Sequence, residues 1–246
     1  MTGKNNNSVL ITGGTGSVGS QLVKKFASNG YDVTFIYFKS EVHAKELAAS
    51  FKATPIMLNL ASDFSLPSIE YSIIINNAGI NISNVLTHET TLEDWNETIQ
   101  INLTAAFRII KTCLPNMIQN NWGRIINISS IYGLRGVDYS VPYSVSKHGL
   151  SGLTKSIAKE YGPFNITCNE ICPGPIVSDM MTRIGKQESA SLGISVEAYF
   201  QQISDSIPCK RMAYPEDIAN LALFLASSDA EYINGVSIPL DGGLLC

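Results

Sequence analysis

Short apolar runs of strand length recur along the chain, at residues 9–12, 33–37, 55–58, 72–75, 125–128, 166–171 and 236–239. Between most of them lie longer segments with apolar residues at helical spacing, the clearest at 17–29, 92–120 and 141–161. Strands that alternate with helices, and that are apolar on both faces, predict a parallel sheet covered on both sides. The predicted architecture is α/β: a doubly wound parallel sheet of about seven strands with helices on both faces. Ligands of such sheets bind outside the carboxyl ends of the strands, near the point where strand order reverses. No repeat, low-complexity tract or linker divides the sequence, so residues 1–246 read as one domain.

Composition narrows the function classes. The chain has 246 residues, 45% of them hydrophobic, enough for one sizeable core. The net charge is −4 and no block of Lys and Arg stands out, which argues against a nucleic-acid partner. No apolar run reaches the ~18 residues of a membrane helix. The opening MTGKNNNS lacks the apolar centre of a signal peptide, so a cytoplasmic location is expected. The five cysteines, at 113, 168, 172, 209 and 246, are odd in number and show no zinc-ligand spacing. Reduced thiols and no metal site are expected.

The turn after the first strand carries Gly14-Thr15-Gly16-Ser17-Val18-Gly19, which fits G-x-G-x-x-G between a strand and a helix. Glycines there let the chain turn tightly and let a pyrophosphate approach the backbone, while the helix N-terminus offers free N–H groups. The pattern predicts a Rossmann dinucleotide site with Gly13, Thr15, Gly16, Ser17, Val18 and Gly19 at its centre. In NAD binders an acid usually ends the second strand, about 20 residues on, to read the ribose. Here Tyr37 takes that position, followed by Lys39 and Ser40. Without a carboxylate to repel a 2′-phosphate and with a lysine to attract it, NADP(H) is favoured, with NAD(H) as the alternative.

Tyr143 and Lys147 are four residues apart in YSVSK, on one face of a predicted helix. A free tyrosine is a poor base at neutral pH. A cation about 5 Å away at an effective dielectric of about 20 contributes roughly 3 kcal/mol, which would lower the phenol by about two units. Tyr143 could then exchange a proton with an alcohol or ketone oxygen. The pair is not isolated. Ser130 follows the fifth strand in IINISS, Asn102 lies in TIQINL, NNAG (76–79) ends the fourth strand and CPGPIVSDM (172–180) ends the sixth.

Taken together and in this order, these motifs resemble those of the short-chain dehydrogenases/reductases, over residues 8 to about 243. The resemblance implies Tyr143 as general acid/base and Lys147 as the cation that tunes it and bonds the nicotinamide ribose. It implies Ser130 as a donor to the reacting oxygen and Asn102 as a holder of a relay water. Asn76, Ala78 and Gly79 would line the adenosine side and brace the sheet. Pro173, Gly174, Ile176 and Ser178 would cover the nicotinamide. Asn59 and Leu60, past the third strand, join the cofactor-binding set. Residues near 178–206 would form a substrate lid, with Met180, Met181, Ile184, Leu192, Tyr199 and Phe200 closing over the substrate. The two long helices would form the dimer face of a homodimer or homotetramer.

Three features depart from the usual pattern. Ser17 stands where the short branch of the family has a glycine. The segment between Asn59 and Asn76 is too short for the usual helix. The general resemblance is to 3-oxoacyl-(acyl-carrier-protein) reductases, yet Asn121 and Phe164 stand where that group has carrier-binding arginines flanking the site entrance. An acidic carrier needs cations to steer it. The expected activity is therefore NADP(H)-dependent interconversion of a carbonyl and a hydroxyl on a small free molecule, with carrier-bound acyl reduction as the alternative. A non-catalytic NADP(H) sensor or scaffold is the alternative of another class.

Overall fold

The structure, a computed structural model, describes residues 7–67, 70–82 and 84–246. The opening MTGKNNNS therefore lies mostly outside the described residues. The chain runs β1 (Ser8–Thr12), α1 (Ser17–Ser28), β2 (Asp32–Tyr37), α2 (Glu41–Phe51), β3 (Thr54–Met57) and β4 (Ile73–Asn76). It continues through α3 (Leu92–Ile99), a π-helical turn (Gln100–Thr104), α4 (Ala105–Asn120), β5 (Gly123–Ile128), α5 (Val141–Tyr161) and β6 (Ile166–Pro173). It ends with α6 (Asp179–Leu192), α7 (Val196–Ser206), α8 (Pro215–Ala226) and β7 (Ser237–Leu240).

The seven strands form one parallel sheet in the order β3-β2-β1-β4-β5-β6-β7. Winding reverses between β1 and β4, so the switch point lies where the glycine turn and the NNAG segment meet. Strand alternation sorts the core into two layers. Val9 and Ile11 pack with Leu22, Phe26, Ile218 and Leu225 of α1 and α8. Leu10, Ile74 and Ile125 pack with Ile109, Met117 and Ile157 of α4 and α5. Both layers are continuous apolar clusters, which fixes the register of every central strand.

Two expectations are refined. The run 92–120 is one path but not one α-helix: the π-helical turn at 100–104 divides it. The short segment after β3 is covered without a helix among its described residues. Leu60, Phe64 and Leu66 pack onto the α4 side of the core. Arg108 of α4 holds them there, donating to the Phe64 carbonyl at 2.8 Å, pairing with Asp63 at 3.0 Å and lying 4.2 Å over the Phe64 ring.

The glycine turn is closed on itself. Gly13 has φ 66°, and a Cβ on Gly19 would sit 2.0 Å from the Gly13 carbonyl oxygen. Gly16, at φ −75°, meets only that same oxygen, at 3.4 Å. Gly19→Ala is expected to destabilise the fold by about 2–3 kcal/mol through overpacking. Gly16→Ala should stay within about 0.5 kcal/mol of the parent. Urea unfolding midpoints of the two variants, compared with the parent, check both.

Candidate active site

The end of β1 and the end of β4 are bonded together across the switch point. Thr12 Oγ1 accepts from the backbone N–H groups of Asn77 and Ala78 at 2.9 and 2.8 Å, and Asn77 Nδ2 donates to the carbonyl of Thr12 at 2.8 Å. One layer deeper, Asn76 Nδ2 donates to Asn127 Oδ1 at 2.8 Å, and Asn127 Nδ2 donates to Thr154 Oγ1 at 2.8 Å. That chain ties β4 and β5 to α5, the helix that carries Tyr143 and Lys147.

Above this platform lies a cavity of about 560 Å³. Gly13, Thr15, Gly16, Ser17, Val18 and Gly19 form its floor; Tyr37, Lys39, Asn59 and Leu60 form one wall. Ala78, Gly79, Tyr143, Lys147, Ile176 and Ser178 form the other. The end of β2 presents Tyr37, Phe38 and Lys39 to the cavity and no carboxylate. These residues fit a dinucleotide: a glycine floor with room above it, a helix N-terminus, and a cation where a 2′-phosphate would lie.

Several expected residues stand elsewhere. Ser40 does not line the cavity; it precedes α2 as its N-terminal cap residue. Asn76 is buried beneath the cavity and only braces it. Pro173 and Gly174 are held against β7, where Gly174 N–H donates to the Leu240 carbonyl at 3.0 Å. They carry Ile176 and Ser178 to the cavity without reaching it. Phe38, Glu97, Ile101 and Asp179 also line it and were missed. Phe38 and Asp179 are sequence neighbours of expected residues. Ile101 likewise precedes Asn102 in TIQINL, whereas Glu97 sits on α3 with no motif to mark it.

The catalytic cluster is assembled by α5 and β5. Lys147 is 3% exposed, and its Nζ donates to the Ile128 carbonyl at 2.9 Å and lies 5.5 Å from the centre of the Tyr143 ring. Gly79 lies beside it: a Cβ there would stand 3.4 Å from Lys147 Nζ. Ser130 Oγ accepts from the Tyr132 N–H at 3.1 Å, which leaves its own proton for the Tyr143 phenol beside it. Asn102 sits in the π-helical turn with its side chain fully engaged. Its Oδ1 accepts from Ile80 N–H at 2.8 Å; its Nδ2 donates to the Ile80 carbonyl at 2.9 Å and to Ser146 Oγ at 3.0 Å. The side chain therefore fixes the loop after β4, with both amide protons already committed. His148 Nδ1 donates to the Ser144 carbonyl at 2.9 Å, as a packed residue would.

Charge states differ from the expectation. Burial pushes the Tyr143 phenol up to about 12, against the pull of Ser130. Burial also brings Lys147 down to about 8, with Glu170 opposing the fall. Desolvation dominates the phenol in the chain itself, and the group that pulls it down is Ser130 rather than the lysine. Near neutral pH the phenol keeps its proton and the lysine its charge.

Residues 13–245 match the family described as Enoyl-(Acyl carrier protein) reductase, nearly the whole chain. The chain belongs to the short-chain dehydrogenase/reductase family. It is 35% identical over 249 residues to the 3-oxoacyl-(acyl-carrier-protein) reductase FabG of Aquifex aeolicus, covering 96% of each chain. It is 29% identical to the D-beta-hydroxybutyrate dehydrogenase of Rhizobium meliloti, covering 95% of this chain and 96% of the other. Among solved structures it is similar to a single-substitution variant of actinorhodin polyketide ketoreductase with NADPH, at TM-score 0.90 and 28% identity, covering 99% of both chains. It is likewise similar to ElxO with NADP bound, at TM-score 0.83 and 31% identity, covering 97% of this chain and 98% of that one. Like its relatives, this short-chain dehydrogenase/reductase is an NAD(P)-dependent oxidoreductase.

Beside this cavity lies a smaller one of about 210 Å³, bounded by Tyr132, Tyr139 and Ser140 and by Arg183, Ile184, Glu188 and Tyr199 of α6 and α7. Met180 reaches the larger cavity. Phe200 is used otherwise, packed against Gly185 to hold α7 on α6, and Leu192 points to solvent at 59% exposure. Asn121 and Phe164 precede β5 and β6, at the opposite end of the sheet from the cleft. The lack of arginine there does not bear on the entrance to this chain's own site.

Ser17, on the cavity floor, is also bonded to the start of α6. Its Oγ donates to Asp179 Oδ2 at 3.1 Å and accepts from Asp179 N–H at 3.1 Å. The carboxylate of α6 thus stands at the N-terminus of α1, in the positive field that also favours a pyrophosphate. Asp179→Asn is expected to tighten NADPH binding by about threefold to tenfold by removing that repulsion. Calorimetric titration of the variant and parent at low and high salt measures it, and the gain should shrink with salt.

Proposed function

We propose that the protein is an NADP(H)-dependent oxidoreductase that interconverts a carbonyl and a hydroxyl on a small-molecule substrate. The observation that carries this reading is that Tyr143 and Lys147 line one edge of a dinucleotide-sized cavity, with Ser130 hydrogen-bonded to the Tyr143 phenol from behind that edge. When bound, the nicotinamide supplies or accepts the hydride. Tyr143 Oη gives its proton to the substrate oxygen in reduction and takes it back in oxidation. Ser130 Oγ donates to the same oxygen and stabilises the charge that develops there. The Lys147 ammonium stabilises the phenolate left behind. Asn102 and Gly79 keep the loop after β4 close to the lysine.

The choice of NADP(H) is supported by Lys39 and by the lack of an acid at the end of β2. Two similar structures carry NADP or NADPH by their own descriptions. A pure sensor or scaffold needs no proton donor, so the cluster disfavours it. The substrate would enter through the smaller cavity, with α6 and α7 as its lid. Reduction of a carrier-bound 3-oxoacyl group is the second reading, favoured by the identity to FabG. The chain would work as a homodimer or homotetramer, with Phe107 of α4 and Val145 of α5, both more than two-fifths exposed, on the covered face.

Following NADPH oxidation with free ketones and with an acetoacetyl thioester tests the assignment and separates the two readings. Tyr143→Phe should lose about 10²–10⁴-fold in kcat while binding NADPH within about twofold of the parent. Unchanged turnover would refute the assigned acid. Lys39→Glu should raise the NADPH KM about tenfold and leave that for NADH almost unmoved, as expected for a charge that reads only the 2′-phosphate.

A further inference from the structure

β6 carries a carboxylate that the chemistry above does not use. Glu170 lies mid-strand opposite Asn127 and is 0% exposed. Burying a lone carboxylate is costly unless other groups stabilise it. Its Oε1 accepts from Ser151 Oγ at 2.6 Å and from Cys172 Sγ at 3.1 Å. Its Oε2 is buried without a hydrogen-bond partner among the described residues. None of the ion pairs among those residues includes it. An apolar side chain would complete the core at this position with none of these costs.

Ser151 links Glu170 to the helix turn that carries Lys147. Ser151, its closest donor, follows Lys147 by one helical turn and also lies 3.3 Å from the Lys147 carbonyl. Among the described residues Lys147 itself has one protein acceptor for its three ammonium protons, the Ile128 carbonyl. The other groups around the ammonium are neutral or unable to offset its charge. Tyr143 keeps its proton, Asn102 and Gly79 carry no charge, and His148 is turned to Ser144. Burial raises the thiols of Cys168 and Cys172, so neither supplies an anion. Among the described residues, Glu170 is the one carboxylate that acts on Lys147.

We propose that Glu170 is a positioning residue for the proton-exchange pair: its buried carboxylate, bonded to Ser151 one helical turn from Lys147, keeps that lysine an ammonium. The inference rests on the reading of Lys147 and Tyr143 as that pair. The charge acts through the lysine and never touches substrate. Its effect is confined to the pH range in which Lys147 would otherwise lose its proton.

The test follows the lysine directly. In the full chain labelled with ¹³C-lysine, the Lys147 Cε signal, identified by its loss in Lys147→Arg, is titrated in the parent and in Glu170→Gln. Glutamine keeps the size and the Ser151 bond but removes the charge. The expected result is a Lys147 midpoint lower by about one pH unit or more. The alkaline limb of kcat/KM for ketone reduction should move down with it. Ser151→Ala, which strips the carboxylate of its closest donor, is the second variant and should shift the midpoint in the same direction by less. A purely structural role predicts a lower unfolding temperature, a uniform loss of rate and an unmoved Lys147 midpoint; that outcome would overturn the proposal. Full turnover in Tyr143→Phe would instead overturn the pair itself, and the lysine titration would still report on Glu170.

Discussion

The structure depends on a buried charged amine and a half-buried neutral phenol lying one turn apart on α5, where β5 ends. Burial alone would disarm both. Even with Ser130 pulling the phenol down and Glu170 holding the amine up, the phenol stands at about 12 and the amine at about 8. The surrounding bonds make the pairing tenable: the Ile128 carbonyl receives one ammonium proton, and Ser130 is bonded so that its hydroxyl faces the phenol. The Asn76–Asn127–Thr154 chain then fixes α5 to the strand ends, so this geometry is a consequence of the sheet rather than of a loop.

Two carboxylates complete the electrostatic picture, and they act in opposite senses. Asp179 stands where an anionic cofactor would lie, bound to Ser17 at the start of α1. Glu170 stands behind the lysine, where a negative charge supports an ammonium. The first works against ligand charge in an exposed, salt-screened place; the second works in a dry one, where the same charge reaches further. A net charge of −4 spread over the surface would show neither.

Much of this was legible in the sequence, for physical reasons. The five inner strands were visible because each is an apolar run buried on the sheet, the edge strands β3 and β7 because short apolar runs mark them although they are half-buried or exposed, and the glycine turn because Gly13 and Gly19 tolerate no side chain. Tyr143 and Lys147 were visible because helical spacing alone puts them on one face. What could not be read was direction and long-range partnership. Pro173 and Gly174 share a motif with Ile176 and Ser178, yet they face β7 rather than the cavity. Ser17 has its partner 162 residues away. The π-helical turn at 100–104 leaves the apolar pattern of its helix nearly unchanged. The sign of the Tyr143 shift was missed because spacing reveals the cation but not the depth at which it works, and depth prevailed.

The central claim is that Tyr143 and Lys147 act as a unit. The most direct measurement is a double-mutant cycle on kcat for ketone reduction with Tyr143→Phe, Lys147→Ala and the two combined. Groups that act as a unit give strongly non-additive losses, so the double variant should be about as slow as the slower single variant. If the two losses instead multiply, the phenol and the ammonium work independently, which contradicts the claim.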